Sequence, residues 1–299
     1  MTPQFDYPLD SPPMLFSLSR WMIRHQIRGG WRLWKILHDR GLVNYVTQYH
    51  LDGPFGQTPI FVPLHRPESS WSAIEIRDYD RGVVDIVSSR VVRFDAPLQV
   101  IDCGADIGMV AASLIRGCCG IVKVLAFEPN EKSYIYLNAS APNWSVPVQV
   151  VNSAVGRKNM RGALISPPTD DSDHARYIVE DPNGPIEVRS IDSYDIDHTH
   201  AIILKVDVEG AELDVLDGAS DILERAPDFV VIFEAHPDVF ERNGIDPCVI
   251  IRKLNEISPV DVVIAEMPDF NFDMNKPFFE QFGSQVSIVR NVICATSPG

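Results

Sequence analysis

Val100-Ile101-Asp102-Cys103-Gly104-Ala105-Asp106-Ile107-Gly108, followed by Ala126-Phe127-Glu128-Pro129, decides the fold class. The first apolar run ends in a glycine loop. The second ends in a single acidic residue, Glu128, 24 positions after Gly104. Apolar runs of this length that stop at turns read as buried strands. A glycine loop lets a ligand approach backbone amides at a helix N-terminus. A carboxylate at the tip of the next strand can then accept from ribose hydroxyls. The pair predicts an α/β sheet that grips a nucleoside.

The same loop narrows the nucleoside. A dinucleotide fingerprint needs glycines at 106 and 109, where the chain has Asp106 and Met109, so a dehydrogenase is disfavoured. No Gly-Lys-Ser/Thr tripeptide offers a P-loop. Asp102 and Asp106 would repel a pyrophosphate and attract a cation. A ligand with a sulfonium and an ammonium, S-adenosylmethionine, fits such a loop.

From Pro97 onward the chain alternates strand and helix. Expected strands are Leu98–Asp102, Val122–Phe127, Val148–Val151, Ala201–Val206, Phe229–Phe233, Val260–Glu266 and an antiparallel Val286–Ala295. Expected helices are Met109–Gly117, Glu131–Ser140, Ala211–Arg225 and Pro247–Ile257. Further β structure is expected at Gly162–Ile165 and Ile186–Ile191. Pro167–Pro185, rich in aspartate and proline, reads as a long polar loop of the kind that covers a binding site. The expected architecture is thus a seven-stranded sheet with helices on both faces (residues 96–299), preceded by an extension over residues 1–95 of helix and short strands.

Within that extension, Met14–His38 reads as helix, interrupted by Gly29-Gly30. Pro59–Pro63 and Gly82–Val87 read as short strands. Residues 11–40 hold six basic residues against one acidic, +5 in a chain whose net charge is −15, leaving −20 elsewhere. Tryptophans 21, 31 and 34 add apolar surface to the basic helix. Two roles stay open for it: a peripheral contact with anionic lipid, or a contact between copies in a homodimer. The acidic balance of the whole chain argues against nucleic acid as partner. Five cysteines without a C-x-x-C, no secretory signal and no membrane-length apolar run give the expectation of a cytoplasmic protein.

In an open α/β sheet, ligands bind outside the carboxyl ends of the strands. Those ends here carry Asp102, Glu128, Asn152-Ser153, Asp207 and Glu234-Ala235-His236. The expected cofactor residues are Asp102, Gly104, Ala105, Asp106, Gly108, Glu128, Pro129, Asn152, Ser153 and Asp207. Lys205-Val206-Asp207-Val208-Glu209-Gly210-Ala211-Glu212 packs three carboxylates and a lysine into a turn that opens a helix. Such a cluster can hold a cation, orient a hydroxyl, cap the helix or tune its own pKa values. His236 suits a general base, since an ordinary imidazole titrates near 6.5. It could instead serve a metal with Asp207 and Glu234, or bond its own loop. Asp207, Glu209 and His236 are the catalytic candidates, with no metal expected.

These motifs give a resemblance to the FkbM family of S-adenosylmethionine-dependent methyltransferases, over about Gln99 to Pro237. It rests on V-I-D-C-G-A-D-I-G, A-F-E-P-N, V-N-S-A-V-G, K-V-D-V-E-G-A-E and E-A-H. The family loop usually reads D-x-G-A-N-x-G, and Asp106 replaces its asparagine. The resemblance implies a class I, Rossmann-like methyltransferase that transfers a methyl group to a hydroxyl of a sugar, glycolipid or polyketide-type metabolite. The alternative is a non-catalytic partner protein that binds the same nucleoside on this scaffold.

Overall fold

The computed structural model describes residues 8–9, 14–40, 42, 46–63, 79–165, 177–285 and 287–297. The chain begins with β1 (Pro8–Leu9), α1 (Met14–Arg24), α2 (Gly30–Asp39), β2 (Val46–Asp52), β3 (Gln57–Pro63) and α3 (Arg81–Val91). The first half of the main unit runs β4 (Leu98–Cys103), α4 (Met109–Gly117), β5 (Ile121–Phe127), α5 (Glu131–Ser140) and β6 (Val148–Val151). Four short strands follow: β7 (Ala154–Val155), β8 (Met160–Ile165), β9 (Tyr177–Glu180) and β10 (Ile186–Arg189). The second half runs β11 (Ala201–Val206), α6 (Glu212–Asp217), α7 (Ser220–Arg225), β12 (Phe229–Ala235), α8 (Pro237–Asn243), α9 (Cys248–Ile257), β13 (Val260–Ile264) and β14 (Arg290–Thr296).

Seven strands form one mixed sheet in the order β13-β14-β12-β11-β4-β5-β6. Only β14 runs antiparallel to its neighbours, on both sides. Successive residues of the central strands alternate between two apolar cores, as the pleat requires. Leu98, Val100, Ala201, Ile203, Val230 and Ile232 pack with α3, α4 and α5. Ile101, Cys103, Ile202, Leu204, Val231 and Phe233 pack with α6, α7 and α9 on the other face. The sheet is therefore covered by helices on both faces, as expected. β4 and β11 are buried along their whole length and are accordingly mostly apolar, with Gln99, Asp102 and Lys205 as their polar residues.

The strand order changes direction beside β4. The crossover from β4 to β5 goes one way along the sheet, and the later strands add on the other side of β4. Such a reversal opens a crevice at the carboxyl ends, between the loops after β4 and β11.

Three expectations are corrected. Gly82–Val87 belongs to a helix, α3, not a strand. Val83, Val84, Val87 and Val91 are its buried residues, a helical repeat, so packing overrides the β preference of valine. The expected helix over Ala211–Arg225 is two short helices. Gly218 separates them, and a Cβ there would lie 2.2 Å from the Gly156 carbonyl oxygen, so the backbones approach too closely for a continuous turn of larger residues. The expected loop Pro167–Pro185 contains β9, which pairs antiparallel with β8 through Gly162↔Glu180 to Ile165↔Tyr177. Residues 166–176 of that loop lie outside the described residues.

The N-terminal helix expectation resolves into α1 and α2, broken next to Gly29, which has φ 98°. The core does not stop at residue 95. Tyr49, Leu51, Ile60 and Val62 of the β2–β3 hairpin share the core of the sheet's α3 face. Thr58 Oγ1 donates to the Ala112 carbonyl (3.3 Å), and Trp144 Nε1 donates to the Pro59 carbonyl (2.9 Å). All five cysteines are free, four of them buried. No helix among the described residues is long and apolar enough to cross a membrane.

Candidate active site

The loop after β4 takes its shape from three left-handed residues, Gly104 (φ 76°), Asp106 (φ 47°) and Gly108 (φ 92°). Glycine is required at 104 for a second reason. A Cβ there would lie 1.9 Å from the carbonyl oxygen of Asp207. The amides of Gly104 and Ala105 both donate to the Phe127 carbonyl, at 3.0 and 2.9 Å. They are thereby turned to the end of β5 and not toward an anion. The amide of Asp106 donates to Glu128 Oε2 (2.7 Å), and that of Asn130 donates to Glu128 Oε1 (2.7 Å).

Glu128 is buried, 6% exposed, at the tip of β5. Burial, with the Asp106 charge beside it, pushes its pKa up to about 7, and its two amide partners pull the other way. Asn152 Nδ2 donates to the Glu128 carbonyl (2.8 Å), tying the end of β6 to the end of β5. Pro129 is half-buried, Asn152 is exposed, and Ala105 and Ser153 are buried. The structure thus gathers Gly104, Ala105, Asp106, Gly108, Glu128, Pro129 and Asn152 around one corner of the sheet edge.

Asp102 is fully buried, and its carboxylate faces Lys205 Nζ at 3.5 Å. Lys205 also lies 3.1 Å from Asp207 Oδ2 and donates to the Gly104 carbonyl (2.6 Å). Burial alone would lower the lysine pKa, but Asp207 and Asp102 outweigh it and hold it above the usual range. Lys205 stays charged and clamps the glycine loop to the loop after β11. Burial raises the Asp102 pKa, and Lys205 opposes that shift.

Alternation places Asp102, Lys205, Glu234 and Asn291 on the α3 face of the sheet, in line with Val100, Ile203, Ile232 and Ile293. A cleft of about 70 Å³ opens there, lined in part by Tyr79, Asp80, Lys205, Asp207, Glu234 and Asn291. Burial pushes the Glu234 pKa up to about 7, and the Asp207 charge adds to it. Asp80 is likewise raised by burial, with Lys205 opposing. Asp207 is 41% exposed at the mouth of this region.

The other two catalytic candidates sit differently. Glu209 adopts φ 55°, and its carbonyl accepts from Arg242 Nη2 (2.5 Å). Its carboxyl pKa is pushed up to about 8 by burial, then by Asp207, Glu234 and Glu212. Glu212 Oε1 accepts from the Gly210 amide (2.9 Å), a bond within the turn that leads into α6. His236 lines a separate cleft of about 30 Å³ with Glu212, Val239 and Asn243. The two clefts share Phe233 and Glu234. His236 Nδ1 accepts from the Asp238 amide (3.2 Å). That bond makes His236 an N-cap for α8, with Pro237 in the first helical position. A neutral imidazole that accepts at Nδ1 carries its proton on Nε2 and has no lone pair left for a hydroxyl.

Sequence reasoning left Tyr79, Asp80 and Asn291 outside the site, gave Glu234 at its strand end only the alternative role of a metal ligand, and gave Lys205 no role of its own. Two signals could have found some of them. Glu234 shares the parity of Val230 and Ile232, and Asp80 precedes a helical repeat of valines. Nothing local marks Asn291. Among the described residues, no group of three or more His, Cys, Asp and Glu side chains is arranged to hold a metal ion.

The model of the methyltransferase FkbM domain matches residues 102–274, from the buried aspartate of β4 to beyond β13. A hexuronic acid methyltransferase, AglP, of Haloferax volcanii is 26% identical over 185 residues, which cover 60% of this chain and 71% of that protein. Among solved structures, a methyltransferase FkbM from Methylobacillus flagellatus is similar at 18% identity and a TM-score of 0.44. That match covers 75% of this chain and 51% of the other, so the chain spans about half that protein's length. The plantazolicin methyltransferase BpumL, solved in complex with SAH, is similar at 9% identity and a TM-score of 0.36, over 78% of this chain and 91% of that one. With more than half of its length matched by the domain model, the chain belongs to the FkbM methyltransferase family.

Proposed function

We propose that this protein is an S-adenosylmethionine-dependent O-methyltransferase whose acceptor is a sugar hydroxyl. One observation carries the reading: a glycine loop whose first amides are turned away from any phosphate, beside a buried carboxylate and an acidic cleft. That set suits a nucleoside bearing a cation and does not suit a pyrophosphate. Each Glu128 oxygen accepts one amide and keeps a second lone pair, which a ribose hydroxyl can use. Asp106 and Asp207 would face the ammonium and sulfonium end, with Asp102 acting through Lys205. When bound, S-adenosylmethionine supplies a methyl group on a positively charged sulfur. That the Haloferax relative is a hexuronic acid methyltransferase supports a sugar as acceptor.

What this chain must do is hold the acceptor oxygen in line and take its proton. Glu234 suits the second task better than His236. Its carboxylate lines the cleft beside Lys205 and Asp207, and its pKa of about 7 places it near the ideal for a base at neutral pH. The hydroxyl proton passes to Glu234, and Asp207 and Asn291 can position the sugar. Activity then rises with pH through about 7, as Glu234 loses its proton.

Titration calorimetry with S-adenosylmethionine, S-adenosylhomocysteine and NAD tests the cofactor. The first two should bind and NAD should not. Mass spectrometry after incubation with a panel of neutral sugars, amino sugars and uronic acids tests the acceptor. Binding of the cofactor without transfer to any hydroxyl compound would leave the non-catalytic alternative as the better account.

A further inference from the structure

We infer that the α1–α2 hairpin is a docking surface for an anionic lipid bilayer. The two helices pack on each other through Trp34 and Leu37, with Ile23 and Leu33 against them. That small core uses up only one side of each helix. Met14, Leu15, Leu18 and Trp21 remain exposed at i, i+1, i+4 and i+7, which is one continuous stripe of α1. Ile27 and Trp31 are also exposed, and Trp31, 57% exposed, stands edge-to-face with buried Trp34, at 6.2 Å between centroids and 76° between ring planes. An indole held this way is presented outward by a fixed support.

The same hairpin carries mostly positive charge, with Asp39 as its one acidic residue. Arg28, Arg32, Lys35 and Arg40 are exposed. Residues 11–40 carry +5, in a chain that otherwise carries −20. A basic helical surface with tryptophans on its apolar side is the composition of a helix that lies in a membrane interface.

A second copy of the chain fits less well. Two hairpins face to face would bring like charges together. The hairpin of one copy on the acidic body of another would need an apolar counterpart there. Eight of the fourteen exposed large hydrophobic residues lie between Met14 and Leu42. Those beyond Phe55 (Val92, Val122, Ile165, Ile245 and Ile288) are isolated in sequence and form no stripe. The partner that complements both the charge and the apolar stripe is a sheet of anionic headgroups.

The test is co-sedimentation of the full chain with sucrose-loaded vesicles. Equimolar phosphatidylcholine and phosphatidylglycerol should carry the protein down, pure phosphatidylcholine should not, and high salt should release it. With each basic residue near the surface worth about 1 kcal/mol, the triple variant R28Q/R32Q/K35Q should lose roughly 100-fold in partitioning. W31A should weaken binding and remove the part of the fluorescence blue shift that its indole contributes. Calorimetry with S-adenosylhomocysteine on the same variants shows that they are folded and keeps this outcome separate from the proposed methyl transfer. The inference is overturned if the wild-type chain stays in the supernatant with anionic vesicles, or binds neutral ones equally. It is also overturned if light scattering shows a dimer that W21A/W31A dissolves.

Discussion

The sheet edge has two halves built on opposite rules. Around β4, β5 and β6, polar groups are spent on backbone: Glu128 holds two amides, and Asn152 holds a carbonyl. Around β11, β12 and β14, carboxylates are pooled near one lysine, and burial lifts the pKa of Glu234 and Glu209 toward neutrality. A half whose groups are already bonded is preorganised to receive a ligand of fixed shape. Burial lifts Glu128 to about 7 as well, so what marks the second half is that Glu234, raised in the same way, lines an open cleft where it can move a proton. Lys205 joins the two, with Asp102 and the Gly104 carbonyl on one side and Asp207 on the other.

The comparison breaks first at Glu234. If the second half is the proton-transfer half, Glu234→Gln should cut kcat roughly 10²–10⁴-fold, with cofactor affinity unchanged. The rise of activity through about pH 7 should vanish with it, because the group that must lose its proton is gone. A Glu234→Gln enzyme that keeps that limb would move the base to Asp207, Asp80 or Glu209.

The link between the halves should come next in size. Lys205→Met leaves Asp102 buried without its cation, and removing one partner of a buried pair typically costs about 3–5 kcal/mol. Urea unfolding should show that loss. Calorimetry should also show weaker S-adenosylhomocysteine binding, since the Gly104 carbonyl loses its clamp. A stable variant with normal binding would mean that the two halves do not depend on the lysine.

The preorganised half should answer to a smaller change, and in binding alone. Glu128→Ala removes a charged hydrogen bond to a ribose hydroxyl, worth about 1.5–3 kcal/mol, or roughly ten- to a hundredfold in S-adenosylhomocysteine affinity. Part of the loss will come from the loop, because the Asp106 amide also loses its acceptor. Glu128→Gln separates the two: its amide oxygen can still accept one backbone amide. Unchanged affinity in both variants would place the ribose elsewhere.

The same division governs how much could be read from sequence. β4, β5, β6 and β11 were legible to within a residue, because short stretches dominated by apolar residues end at turn residues there. The glycine loop and Glu128 were legible because their spacing is local. Tyr79 and Asp80 were not. They enter the cleft just ahead of α3, with Asp80 at its N-cap, and the valines of α3 look like a strand until packing shows them on one helical face. Asn291 was hidden because its position follows from the antiparallel register of β14, which pairs it with Glu234. No short-range pattern encodes that pairing. Lys205 stood in plain view within the most specific motif, yet its role depends on Asp102, more than a hundred residues earlier, being buried beneath it.

The smallest effect should be at His236, the residue that sequence logic favoured as base. It sits at a strand end on the correct edge, which is why its position suggested catalysis. Its Nδ1, however, accepts from the Asp238 amide at the start of α8, and it lines the cleft away from Lys205 and Asp207. A ring fixed in that tautomer offers a donor at Nε2, not a proton acceptor. Removing it costs an N-cap, about 0.5–2 kcal/mol of stability. His236→Ala should therefore lower the unfolding midpoint slightly and change kcat by less than about tenfold, well below the loss expected of a missing general base. His236→Asn, which can cap through its side-chain oxygen, should restore the stability. If instead His236→Ala abolishes activity and its asparagine counterpart does not rescue it, the imidazole itself takes part in the chemistry. The division of the sheet edge would then have to be redrawn, with α8 as part of the proton-moving half.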